Sequence, residues 1–155
     1  MSTTLLHTVP WPMLRKGQAH DQVQTAQYLL REHGHQIVAD NIFGAKTDAA
    51  VRAFQSAANL AVDGIVGPRT WAALIVTVRR GDRGDAVRAV QVQGTIRHES
   101  NPPAVDGIFG PVTETYVRGF QELLAMRFPA DNVAIDGIVG PVTWHGFVAG
   151  IAGLD

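Results

Sequence analysis

Apolar positions recur at helical spacing along most of the chain. Val23, Ala26 and Leu30 fall at i, i+3 and i+7, the spacing that lays one buried stripe along a helix. Val51, Phe54 and Ala58 repeat the spacing within "AAVRAFQSAANL", and Val117, Phe120 and Leu124 repeat it later. Two shorter stretches carry Trp71 with Leu74 and Trp144 with Phe147. Between these stripes lies a recurring polar phrase, "DNIFGA" at 40–45, "DGIVGP" at 63–68 and 136–141, and "DGIFGP" at 106–111.

The phrase reads as a turn that launches a helix. Asp40, Asp63, Asp106 and Asp136 are placed to accept backbone N–H bonds in an Asx-turn. Gly64, Gly107 and Gly137 follow, with Asn41 in the first copy, and these residue types tolerate positive φ. Two apolar residues dip into the core. The next glycine (Gly44, Gly67, Gly110 or Gly140) is expected to allow a sharp reversal, and Pro68, Pro111 and Pro141 suit the first helical position. The turns are also expected to pair with each other as a very short two-stranded bridge.

The halves repeat one another. "LRKGQAHDQVQTAQ" (14–27) lies over "VRRGDRGDAVRAVQ" (78–91), "DNIFGAKTDAAVRAFQ" (40–55) over "DGIFGPVTETYVRGFQ" (106–121), and "VDGIVGPRTWAAL" (62–74) over "IDGIVGPVTWHGF" (135–147). Such self-similarity organises everything else. The expected fold is all-α, two tandem three-helix modules with Asp-Gly turns at 13–76 and 77–150. They are flanked by an N-terminal extension, 1–12, and a C-terminal tail, 151–155. Almost no linker separates Leu74 from Val78, so the modules should abut.

Composition narrows the function. A net charge of −1 supplies no field for nucleic acid or an anionic membrane. The absence of cysteine excludes thiolate metal sites, a cysteine nucleophile and disulfides. No run approaches a membrane span. The start, "MSTTLLHTVPWPMLRKG", has no basic region followed by a sustained apolar stretch, so no Sec signal peptide is expected.

The pattern Gly-x-x-Gly-Asp-x-Val, Gln, Asp-Gly-x-Phe-Gly-Pro-x-Thr, Val-x-x-Phe-Gln and Asp-Gly-x-Val-Gly-Pro-x-Thr-Trp is matched at Gly81, Gly84, Asp85, Val87, Gln91, Asp106 to Thr113, Val117, Phe120, Gln121 and Asp136 to Trp144. It resembles the three-helix peptidoglycan-binding domain of bacterial and phage cell-wall enzymes. The first copy matches at Gly17, Asp21, Val23, Gln27, Asp40, Thr47, Val51, Phe54, Gln55 and Val62 to Trp71. It departs with His20 for Gly84, Asn41 for glycine and Ala45 for proline. The resemblance implies a non-catalytic anchor for peptidoglycan, glycan and stem peptide together. A wall hydrolase or a component of a phage or injection apparatus is the implied partner. Action at the wall would then require release by another route, phage association, or a longer parent chain.

Residues with chemistry support no enzyme. Ser2, Ser56 and Ser100 lack a nucleophile-elbow context, and Glu32, Glu99, Glu114 and Glu122 form no evident carboxylate pair. His33 and His35 lack a signalled third ligand, so no metal or cofactor is expected. The Arg-Gly-Asp tripeptides at 80–82 and 83–85 coincide with the start of the second module. Wall fragments need donors for carbonyls, a cation for carboxylates and an aromatic face. Arg52, Gln55 and Asn59 form a stripe beside the core face of their helix, with Arg118 and Gln121 equivalent. These bind ligand, or they are a solvated face whose glutamines tie down a loop. Trp71 and Trp144 are core residues or sugar platforms, and Tyr116 is an aromatic candidate on the exposed side of its helix. A protein–protein adaptor on the same fold is the competing function.

Overall fold

The computed structural model describes residues 5–149. Among them lie six α-helices: α1 (Val23–Glu32), α2 (Ala45–Ala57), α3 (Pro68–Leu74), α4 (Asp85–Ile96), α5 (Pro111–Arg127) and α6 (Pro141–Val148). The proposed tail, 151–155, and residues 1–4 lie outside the described residues. Every apolar stripe read from the sequence faces inward. Val23, Leu30, Val51, Val117 and Leu124 are fully buried, with Phe54 and Phe120 nearly so. Pro68, Pro111 and Pro141 open their helices, where a missing N–H costs no hydrogen bond.

The turns match the expectation at their first glycine. Asn41, Gly64, Gly107 and Gly137 have φ of 64°, 73°, 75° and 76°. The second glycine differs. Gly44, Gly67, Gly110 and Gly140 are N-caps with φ of −103°, −104°, −104° and −99°, extended backbone open to any residue. The tight reversal sits one residue earlier, closed in three copies by bonds such as Gly67 N to Ile65 O at 3.1 Å.

The expected pairing between turns is also corrected. Three of the four turns pair instead with the segment leading into their own half, through single antiparallel bridges Leu14–Val66, Val78–Val139 and Arg83–Ile108. The turn at 40–45 accepts one bond, from Gly17 N to Phe43 O at 3.0 Å. Trp71 Nε1 donates to Pro12 O at 2.8 Å, and Trp144 Nε1 donates to Val76 O at 2.7 Å. Each lead-in carbonyl thus satisfies one buried indole.

The halves pack through α1 and α4, antiparallel. Gln93, near the end of α4, donates to Thr25 Oγ1 at 2.9 Å near the start of α1. At the other end, Ala86 N donates to Glu32 Oε1 at 3.4 Å, and Arg31 Nε lies 3.3 Å from Asp85 Oδ1. Gln22 completes the buried polar chain, donating to Gln93 Oε1 and to Phe147 O, each at 3.2 Å. Because it meets both halves, α4 buries residues all round, including Ala86, Val87, Ala89, Val90 and Val92. Abutment follows from this interface as well as from the short connection.

Residues 5–14 are a strap, which the sequence did not reveal. Leu6 is 2% exposed and its N–H donates to Asp131 Oδ2 at 2.8 Å. His145 Nε2 meets Val9 O at 2.6 Å, an arrangement in which the ring nitrogen carries the proton. Trp11 stacks on His145 of the second half at 4.5 Å and on Trp71 of the first at 5.8 Å. The segment therefore ties α6 to α3.

Candidate functional site

One hydrogen-bond node is built four times, from Gln27, Asp40 and Thr47; Gln55, Asp63 and Thr70; Gln91, Asp106 and Thr113; and Gln121, Asp136 and Thr143. In the second, Gln55 Nε2 donates to Asp63 Oδ1 and Ile65 O at 2.9 Å and to Thr70 Oγ1 at 3.1 Å. Its Oε1 accepts from Asp63 N at 3.2 Å and Gly64 N at 3.0 Å. Asp63 Oδ1 also accepts from Ile65 N at 2.9 Å, the Asx-turn expected from sequence.

The backbone N–H groups of Ile42, Ile65 and Ile108, then the glutamine amides, hold Asp40, Asp63 and Asp106 below the ordinary carboxylate range. Gln55 and Gln121 are each 1% exposed, with both ends of the amide engaged. They tie down the turn, and Gln121 also borders a cleft between its own turn and Asn132–Ala134. Their bonds are those of the loop-fixing alternative.

The arginines of the same stripe remain at the surface. Arg52 Nε lies 3.1 Å from Asp48 Oδ2, and its Nη2 donates to Asp63 O at 3.4 Å. Arg118 Nη1 donates to Ile135 O at 3.1 Å, with Glu114 4.0 Å from its Nε. Both guanidiniums lie against turn glycines, so a β-carbon on Gly64 would sit 2.8 Å from Arg52 Nη2, and one on Gly137 3.2 Å from Arg118 Nε. Arg88, not singled out from sequence, does the same over Gly107.

Trp71 and Trp144 are wholly buried and offer no face to a sugar; their size and apolarity place them in the core. Tyr116 is half-buried rather than exposed. Its ring stacks at 6.1 Å on Phe147 and its hydroxyl donates to Glu99 Oε1 at 3.4 Å. Burial pushes its phenol well above the ordinary value. Asn59 is exposed and left-handed, φ 58°. It caps α2, with Asn59 N bonded to Ser56 O and Leu60 N to Gln55 O, the paired pattern of a Schellman motif. His33 meets Leu74 O at 2.9 Å and packs edge-on against Phe54. No group of three potential metal ligands occurs among the described residues, and no helix there is long and apolar enough to cross a membrane.

Equivalent clefts flank the second turn of each half. One, of about 420 Å³, lies between Asn59–Ala61 and Pro68–Thr70. Its counterpart, of about 240 Å³, lies between Asn132–Ala134 and Pro141–Thr143. Asn59 is the only ligand candidate from sequence lining the first. Leu60 and Arg69 were missed, although "NLAVDGIVGP" and "NVAIDGIVGP" show that the repeat extends upstream of the Asp-Gly phrase. Tyr116 borders a separate cleft of about 340 Å³ with Asn101 and Pro103.

Residues 19–74, spanning α1 to α3, match the family described as "Putative peptidoglycan binding domain". A peptidoglycan-binding domain is therefore present in the first half of the chain. An uncharacterized protein encoded in the bpoA1 3' region of Kitasatospora aureofaciens is 43% identical over 67 residues, covering 41% of this chain and 55% of the relative. The chain thus spans about half the length of that curated relative. A solved peptidoglycan-binding protein from Clostridioides difficile, in complex with glutamine hydroxamate, is 41% identical, with a TM-score of 0.40. That likeness covers 41% of this chain and 40% of the other.

Proposed function

We propose that the protein binds bacterial cell-wall peptidoglycan without cleaving it, through two modules at 13–76 and 77–150. The match of residues 19–74 to the peptidoglycan-binding family carries the reading. Support for a second module comes from the node, the indole-to-carbonyl bond and the cleft, each built again at 77–149. Acting at the wall, the chain anchors or targets a wall-active partner, a hydrolase or part of a phage or injection assembly. Co-sedimentation of the purified chain with sacculi tests this, paired with a turbidity assay. Retention without clearing is expected; clearing would identify a hydrolase instead.

One observation favours the adaptor reading. The outer face of α5 carries Val112, Leu123 and Met126, 70%, 40% and 79% exposed, around the open Gly119. The matching positions in the first half are Lys46 for Val112, Ala53 for Gly119, Ala57 for Leu123 and Leu60 for Met126. An adaptor would stay in the supernatant with sacculi, and charged substitutions at Leu123 and Met126 would abolish capture of its protein partner.

A further inference from the structure

The two clefts beside the second turns share a scaffold and differ in charge. Both are floored by the Asp-Gly-Ile turn and edged by a left-handed asparagine, Asn59 or Asn132. The first is lined by Arg69 and Met13, the second by Val142 and Asp131. Arg69 is exposed and has no hydrogen-bond or ion-pair partner among the described residues. By contrast, Arg31, Arg52, Arg80, Arg88 and Arg118 are all paired with carboxylates. Asp131, in the second cleft, holds Leu6 N–H and lies 3.6 Å from His7. An uncommitted guanidinium beside small apolar surface therefore occurs in one cleft and is replaced by valine in the other.

We propose that the cleft at 59–70 binds the free C-terminal carboxylate of a wall stem peptide, with Arg69 as the anion-binding group, and that the cleft at 132–143 does not. This rests on the peptidoglycan-binding reading and adds which part of the polymer is held, and by which half. A guanidinium forms two parallel hydrogen bonds with a carboxylate. Leu60, Ala61 and Met13 supply apolar surface for methyl-sized side chains. Asp63 uses Oδ1 for Gln55 and Ile65, and Oδ2 is the acceptor for a peptide N–H. Without a cation, the second cleft would place the same carboxylate near Asp131, where like charge opposes it.

The test is a heteronuclear NMR titration of the whole chain with acetyl-D-alanyl-D-alanine and with its C-terminal carboxamide. The acid should shift the amides of Asn59, Ala61, Gly67 and Arg69. The carboxamide should bind about tenfold or more weakly, as expected for losing a charged hydrogen-bond pair. Arg69→Gln, an exposed change that leaves thermal stability unaltered, should weaken the acid to the level of the carboxamide, while Val142→Ala should change nothing. Equal affinity for both peptides, shifts confined to 132–143, or an Arg69→Gln variant with native affinity would overturn the proposal. No binding of either peptide by a chain that sacculi still retain would overturn it too, leaving the wall-binding reading standing. Failure of sacculi to retain the native chain would overturn both.

Discussion

The backbone N–H of Gln24 donates to Oδ1 of Asn41 at 3.0 Å, and this pair occupies the places held elsewhere by an arginine and a glycine. In the other turns Arg52, Arg88 and Arg118 lie against Gly64, Gly107 and Gly137, so a β-carbon there would have to displace the guanidinium. Glycine is thus favoured there twice over, by positive φ and by a guanidinium. Where the helix offers glutamine instead, asparagine suffices. The turn residue and the helix residue form one coupled unit.

That coupling predicts a partial rescue. Gly107→Asn should cost roughly 1–2 kcal/mol, since asparagine tolerates the backbone angle but collides with Arg88. Adding Arg88→Gln should recover most of the loss by recreating the arrangement at Asn41. Urea unfolding of the four proteins of the cycle measures it. Strictly additive effects would show that the two positions act independently.

Within the stripe that suggested a ligand site, stability should separate the buried from the exposed. Gln55→Leu leaves the N–H groups of Asp63 and Gly64 without their acceptor, costing about 2–3 kcal/mol. Arg52→Ala, at a half-exposed ion pair, should cost less than about 1 kcal/mol. Denaturant midpoints of the two variants decide, and the reverse order would return Gln55 to the surface.

Acid should unfold the protein by a defined route. Asp40, Asp63 and Asp106 titrate below their unfolded values. Their stabilisation is therefore complete above the unfolded carboxylate value, about pH 4, and is lost as pH falls through the folded values. Asp63→Asn retains an acceptor for Ile65 N–H but cannot titrate. Its melting temperature should be lower at neutral pH and fall less steeply than the native one below about pH 5. Parallel pH profiles would contradict the assignment.

The strap should make the two halves unfold together. Leu6 is buried against the second half, and Leu6→Ala should cost about 2–4 kcal/mol. Calorimetry should record one transition at lower temperature; two separated transitions would mean that α1, α4 and the strap do not couple the halves.

The repeat, the helical stripes and the Asp-Gly turns were legible because each is local. Periodicity marks Val51, Phe54, Val117 and Phe120, and backbone chemistry marks Gly64, Gly107 and Gly137. The strap was not legible, since nothing in "LLHTVPWPM" says that Leu6 meets Asp131 across the chain. Likewise, Gln22, Thr25 and Gln93 look like surface residues until α1 and α4 face one another. Gln55 and Gln121 left two readings open for the opposite reason. A glutamine beside a core stripe looks solvated, and only the returning turn closes over it. Arg69 lay outside the helical stripe and was passed over.

The α1–α4 interface also decides how wall binding should be measured. Cutting the chain at residue 76 would strip Thr25, Gln22 and Gln93 of their partners, so loss of binding by separate halves would not distinguish avidity from misfolding. The direct measurement is depletion of the intact, folded chain from solution by increasing amounts of purified sacculi, with cellulose as control. Saturable depletion by sacculi alone, with no release of wall fragments, is the predicted result. An unchanged supernatant across the whole sacculus range would contradict the account.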